Sequence, residues 1–121
     1  MKLQATANAK INIGLSITAK RPDGFHDIET LFYPVDQWCD RLELLPGDAG
    51  FTLEVAGSDF DLKPSENICT RAYSQFLEYA GAPIKGGHLI LHKNIPSGAG
   101  LGGGSADAAC TLKLLNRLNN N

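Results

Sequence analysis

Ile11, Ile13, Leu15 and Ile17 alternate with Asn12, Gly14, Ser16 and Thr18, a period of two that predicts a strand with one buried face. Lys10, Asn12 and Asn8 share the opposite, polar face. Lys20-Arg21-Pro22-Asp23-Gly24 follows, with proline presetting one turn position and glycine free to take positive φ, so a tight reversal is expected. A second strand is predicted over 28–35, with Leu31, Tyr33 and Val35 on one face and Thr30 and Phe32 on the other. Two short strands, 41–45 and 51–55, flank Pro46-Gly47-Asp48-Ala49-Gly50, the composition of a hairpin.

The pattern then changes period. Ser65 reads as an N-cap, with Glu66 and Asn67 in the first turn, and Ile68, Cys69, Ala72, Tyr73, Phe76, Leu77 and Ala80 fall at helical spacing. Gly81 and Pro83 end that helix. A short strand over 88–93 and a last helix over 104–118 complete the chain. The stripe of that helix is predicted to hold Ala106, Ala109, Cys110, Leu114 and Leu118. Strands first, then helix, strand, loop and helix, make the class α+β.

Before the last helix stands Ile95-Pro96-Ser97-Gly98-Ala99-Gly100-Leu101-Gly102-Gly103-Gly104-Ser105-Ala106-Asp107, in which five of the seven residues 98–104 are glycine. Glycine loses more backbone entropy on ordering than any other residue, so this run is a poor core element. It suits a place where backbone N–H groups turn toward a bulky anion. The helix start behind it adds free donors and a positive dipole end. Together these predict a phosphate cradle. The plain alternative is a surface linker, but linkers are rarely followed at once by a strong helical pattern.

Three common cradles do not fit. Gly98, Gly100 and Gly103 satisfy G-x-G-x-x-G, yet a dinucleotide fold wants an acidic residue about 20 positions on, where only Asn119, Asn120 and Asn121 stand. Gly104 occupies the place of a Walker lysine. A protein-kinase loop would precede a V-A-I-K strand, and none follows.

Composition narrows the class further. The chain has 121 residues, 43% apolar and 20% charged, with a net charge of −2. That is one domain with a real core and no basic surface for nucleic acid. Cys39, Cys69 and Cys110 are odd in number and widely spaced, as expected of reduced thiols in a cytoplasmic protein. No apolar run approaches membrane-spanning length.

Lys10 is by itself a plain lysine on a sheet surface. Beside a phosphate cradle it gains a second reading, because an ammonium neutralises phosphate charge and lowers the pKa of a nearby hydroxyl. Asn12, on the same face, is placed to bond a substrate. Phe25 and His26 leave the reversal, with Phe32 further along; they are either an aromatic cover beside a surface histidine or a stacking and hydrogen-bonding pair for a base. Ser105 and Asp107 suit a first helical turn on capping grounds alone. Ser105 could equally serve a phosphate oxygen or magnesium, and the role of Asp107 stays open. His88 and His92 receive no role, and no residue is assigned as a metal ligand.

Three segments carry a resemblance: Ala9-Lys10-Ile11-Asn12; Arg21-Pro22-Asp23-Gly24-Phe25-His26 with Thr30-Leu31-Phe32; and Pro96 through Ser105. In this order they resemble the 4-diphosphocytidyl-2-C-methyl-D-erythritol kinase family, within the superfamily of galacto-, homoserine, mevalonate and phosphomevalonate kinases. The resemblance spans the whole chain. It implies an N-terminal domain with the ribosomal-protein S5 domain 2-like fold over 1–121. The implied reaction is phosphoryl transfer from ATP, with Mg²⁺, to the 2-hydroxyl of a small nucleotide substrate in the non-mevalonate isoprenoid route. Lys10 would be the active-site lysine and Asn12 its substrate-facing neighbour. Phe25 would stack on the cytosine and His26 would bond it, with Phe32 lining the pocket. Gly98, Gly100, Leu101, Gly102, Gly103, Gly104 and Ser105, led in by Pro96, would wrap the triphosphate, and Asn67 and Lys93 would lie by the adenine.

Phe25 stands where the family often has tyrosine, and Ala106 where it often has a second serine. Family members are much longer, and the aspartate that serves as base belongs to a segment expected beyond Asn121. The chain is therefore expected to lack a C-terminal domain and to be inert alone. Apolar surface left bare by the missing part would invite self-association. Two other readings compete: another kinase of the superfamily, such as homoserine kinase, where the Pro-Asp-Gly-Phe-His turn has no task, and a nucleotide-binding module without catalysis.

Overall fold

A computed structural model describes residues 2–48, 50–57, 67–96 and 100–120. The elements in chain order are β1 (Leu3–Lys20), β2 (His26–Gly47), β3 (Phe51–Ala56), α1 (Ile68–Ala80), β4 (Gly86–His92) and α2 (Gly103–Asn119). The strands form one mixed sheet in the order β1-β2-β4-β3. β1, β2 and β4 pair antiparallel, while β3 runs parallel to β4. Parallel neighbours need a crossover, and α1 supplies it between β3 and β4.

Alternation along the strands explains the core. Leu42 and Leu44 of β2 pair with Leu91 and Leu89 of β4. With Ala7 of β1 they turn their side chains to the helices, where Cys69, Cys110, Leu114 and Leu115 meet them. Arg41, Glu43 and His92 lie on the other face of the sheet, where Arg41 pairs with Glu43 at 3.5 Å.

The hairpin expected around Pro46-Gly47 is not formed: β4 inserts between β2 and β3. The start of β4 is fitted for this. A Cβ on Gly86 would stand 2.0 Å from the Gly50 carbonyl oxygen, and one on Gly87, at φ +145°, 2.1 Å from that of Leu45. Only glycines pass between two backbones that close, and the apolar run Leu89-Ile90-Leu91 behind them favours a central strand.

β2 also joins in one strand the two expected separately over 28–35 and 41–45. Asn8 pairs with Cys39 and Ala9 with Val35, so Asp36, Gln37 and Trp38 bulge out unopposed. Beyond the bulge β1 and β2 pair only with each other, as a two-stranded ribbon. The face of Ile11, Ile13, Leu15 and Ile17, expected to be buried, is 42, 51, 57 and 64% exposed. A lone ribbon has no second layer to cover it.

α1 is capped by Asn67, whose Oδ1 accepts from the Cys69 amide at 2.8 Å, so this residue precedes the first turn rather than lying in it. Ser65 lies outside the described residues. Gly81 ends α1 at φ +65°, as its position suggested. The buried stripe of α2 is rotated from the expected one: Ala109 is exposed, and Asp107, Thr111 and Leu115 are buried. The Thr111 hydroxyl donates to the Asp107 carbonyl at 2.9 Å, so its burial leaves no polar group unmet.

Candidate functional site

The glycine loop leaves β4 through Lys93, Asn94, Ile95 and Pro96 and enters α2 through Gly100, Leu101 and Gly102. Ser97, Gly98 and Ala99 lie outside the described residues. Gly100 and Gly102 sit at φ +77° and +71°, a left-handed backbone that suits glycine. Gly102 is the N-cap of α2 and provides no side-chain cap. The Ala106 amide, donating to the Gly102 carbonyl at 3.0 Å, makes the first helical bond. The amides of Gly103, Gly104 and Ser105 therefore precede the ladder and have no intrahelical acceptor. A Cβ on Gly104 would meet nothing within 4 Å, whereas one on the buried Gly103 would press on Ile95 and Lys93.

Lys10 of β1 joins this loop from the sheet. Its amide donates to the Leu101 carbonyl at 2.8 Å, and its ammonium donates to the Gly100 carbonyl at 3.1 Å and to Asn12 Oδ1 at 2.6 Å. The same ammonium lies 5.2 Å from the centre of the Phe32 ring, within cation–π range. Asn12 in turn donates from Nδ2 to Thr30 Oγ1 at 3.1 Å, which fixes which end of its amide faces the lysine. A Cβ on Gly102 would stand 2.8 Å from Lys10 Cγ, so the loop lies directly on the lysine stem.

Beneath the loop is a second charged group. Lys93 Nζ donates to Asp40 Oδ2 at 2.7 Å and to Asp107 Oδ2 at 2.8 Å, with side chains 1, 0 and 2% exposed respectively. Asp40 Oδ1 accepts from the amides of Asn94, at 2.6 Å, and Ile95, at 2.9 Å. Burial pushes the Asp40 carboxyl up, but its bonds with Asp107, Lys93 and those two amides outweigh it and leave it below the ordinary range. Asp107 goes the other way: burial, then its bond with Asp40, carries it up to about 7. Its Oδ1 has no hydrogen-bond partner among the described residues. Burial opposes the Lys93 charge, yet the two carboxylates hold it above the usual lysine range. Burial likewise raises the Cys69 thiol to about 11, an inert form at neutral pH.

Lys10 thus meets the loop at Gly100, Leu101 and Gly102, while Asn12 and Phe32 meet Lys10. Phe25 and His26 stand apart, at the far tip of the ribbon, where His26 pairs with Lys20 and Phe25 is 71% exposed. Asn67 is occupied in capping α1, and Lys93 is sealed in its ion cluster. Ser105 is exposed beside Gly104. A groove of about 550 Å³ lined by Phe76, Tyr79 and Leu112 lies between the helices and involves none of these residues.

Asp40 escaped sequence reading, although a signal was present. It shares the core face of β2 with Leu42 and Leu44, a carboxylate at an inward position of an alternating pattern. Asp107 likewise lies three and seven residues before Cys110 and Leu114 on the buried stripe of α2. An acid on a core face asks for a buried cation, and Lys93 is that cation.

The family description "GHMP kinases N terminal domain" matches residues 67–121. The chain is 50% identical over 111 residues to the 4-diphosphocytidyl-2-C-methyl-D-erythritol kinase of Cytophaga hutchinsonii, covering 90% of this chain and 39% of the relative. The enzyme of the same name from Bacteroides thetaiotaomicron is 50% identical over 113 residues, covering 90% and 40%. A crystal structure of 4-(cytidine 5'-diphospho)-2C-methyl-D-erythritol kinase superposes with a TM-score of 0.76 at 41% identity, covering 97% of this chain and 41% of that one. Homoserine kinase from Cytophaga hutchinsonii shares the fold, with a TM-score of 0.70 at 21% identity. The chain spans about two-fifths of the length of the curated relatives it matches. Among the described residues no helix is long and apolar enough to cross a membrane.

Proposed function

We propose that this chain is the N-terminal domain of a GHMP kinase, binds the triphosphate of ATP at the glycine loop and aims Lys10 at the phosphoryl group being transferred. The acceptor on this reading is the 2-hydroxyl of 4-diphosphocytidyl-2-C-methyl-D-erythritol, the compound in the names of its relatives. One observation carries the proposal: the Lys10 ammonium sits against the Gly100 carbonyl, at the mouth of a helix whose first amides are uncapped.

The amides of Gly103, Gly104 and Ser105 would donate to phosphate oxygens, with the positive end of α2 behind them. Lys10, oriented by Asn12 and backed by the Phe32 ring, would offset the charge that spreads over the transferred group. Such catalysis is positioning and electrostatics rather than covalent chemistry. Mg²⁺ bound with the nucleotide would supply positive charge to the phosphates. Ser105, exposed in the first turn of α2, would offer its hydroxyl to a phosphate oxygen. Phe25 and His26 would take the cytosine at the ribbon tip. Asp40 and Asp107 are committed to Lys93, and the base that takes the hydroxyl proton is, by the family resemblance, assigned to the part of the relatives that this chain does not span.

Calorimetric titration of the chain with Mg-ATP tests the reading. Lys10→Met is expected to weaken binding by about tenfold or more, about 1.4 kcal/mol. Unchanged affinity in the folded variant would refute it. Turnover of ATP with the cytidine substrate is expected to be undetectable for this chain alone.

A further inference from the structure

The glycine loop is fixed at both of its described ends by one set of groups in β2, β4's exit and α2. On the leading side, Asp40 Oδ1 accepts from the Asn94 and Ile95 amides. The Trp38 indole donates from Nε1 to the Asn94 carbonyl at 3.1 Å, and Asn94 Nδ2 donates to the Cys39 carbonyl at 3.1 Å. Three successive residues of β2 thereby hold residues 94–95, at the point where the bulged strand returns to regular pairing. On the trailing side, Lys93 spans Asp40 and Asp107, and a Cβ on Gly103 would stand 3.2 Å from Lys93 Nζ.

We propose that Asp40 is a positioning residue for the phosphate loop: it sets the direction in which the chain leaves β4 and, through Lys93 and Asp107, where the first turns of α2 stand. The inference rests on the phosphate-loop reading given above. Stability alone is a weak reason for such a cluster, because buried ion groups are often replaceable by apolar side chains at little or no loss. What a leucine at 40 could not do is accept two consecutive amides and face a lysine at once. One carboxylate does both here, with separate oxygens. Lys10 approaches the loop from the opposite side, so a shift of the loop would also move the ammonium off the Gly100 carbonyl.

Tripolyphosphate is the probe of choice, because it needs the loop and no base-binding pocket. The chain is titrated with it by calorimetry, and Trp38, the one tryptophan in the sequence, reports the loop by fluorescence. Asp40→Asn keeps an oxygen for the two amides but loses the charge that faces Lys93. It is expected to weaken tripolyphosphate by about tenfold or more while retaining a cooperative thermal transition. Asp40→Glu, which restores the charge, is expected to recover part of the loss. A folded Asp40→Asn that binds within about twofold of the parent overturns the proposal. Should that variant not fold, amide exchange in the unsubstituted chain decides. The Asn94 and Ile95 amides are expected to gain further protection when tripolyphosphate is added, and exchange indifferent to the ligand overturns the proposal. A parent chain that binds no tripolyphosphate defeats the phosphate-loop reading itself and this inference with it, an outcome distinct from a parent that binds and a variant that matches it.

Discussion

Lys10 and Lys93 are the same residue type put to opposite uses within one site. Lys10 keeps its ammonium at the surface, shared between a loop carbonyl, an amide oxygen and a ring, where an incoming phosphate can take over those contacts. Lys93 is enclosed between two carboxylates and buried beneath the loop. By its neighbours in the chain Lys10 read as a plain surface lysine, and only the glycine-rich cradle and the family resemblance singled it out. Asp40 and Lys93 are 53 residues apart, and no local pattern announces that they meet.

The pH response follows from the same cluster. Asp107 holds its proton up to about pH 7 in the folded chain, whereas an unfolded aspartate releases it near about 3.9. Between those values the folded state binds more protons, so the contribution of Asp107 to stability falls as pH rises, by at most about 1.4 kcal/mol per pH unit. Asp40, held below the ordinary range, acts in the opposite sense: it stabilises at neutral pH and loses that contribution as pH falls through its folded value. Urea unfolding of the nucleotide-free chain across this window is expected to show a flatter slope for Asp107→Asn than for the parent.

At the scale of elements, both helices were legible and the sheet order was not. Helix signals are local: apolar spacing, a cap within two residues and Gly81 at the end. Strand partners are chosen across the chain. Pro46-Gly47-Asp48-Ala49-Gly50 has hairpin composition, yet β4 lies between the two strands that flank it. Gly86 and Gly87 make that insertion feasible. Gly87→Ala would set a methyl against the Leu45 carbonyl in a backbone conformation that L residues rarely adopt. It is expected to destabilise the chain by about 3 kcal/mol or more, read as a lower urea midpoint, with the contacts around Lys10 far from the change.

At the scale of the whole molecule, the chain is a packed α+β body bearing an extended ribbon. The body holds the loop, both helices and the four-stranded part of the sheet; the ribbon carries Phe32, His26 and Phe25 on two strands alone. Two strands without a second layer are marginal in water. Amide exchange is therefore expected to be faster across 11–35 than across 41–47 and 89–91, and equal protection in both regions would contradict the division. The alternating pattern correctly called for a strand here but overstated its burial, since alternation marks an apolar face without naming what lies on it.

The bulge at Asp36, Gln37 and Trp38 governs how these two parts face each other. Side chains alternate with a period of two, so an odd number of unopposed residues reverses the phase between the ribbon and the body. Removing Gln37 alone would spare every group that touches a ligand on the proposed reading, yet turn Phe32 and its companions over. The spacer thus works like the offset in a key: its length, rather than its chemistry, decides whether the far tip and the anion-holding end can serve one molecule, and a scan of point substitutions would pass over it.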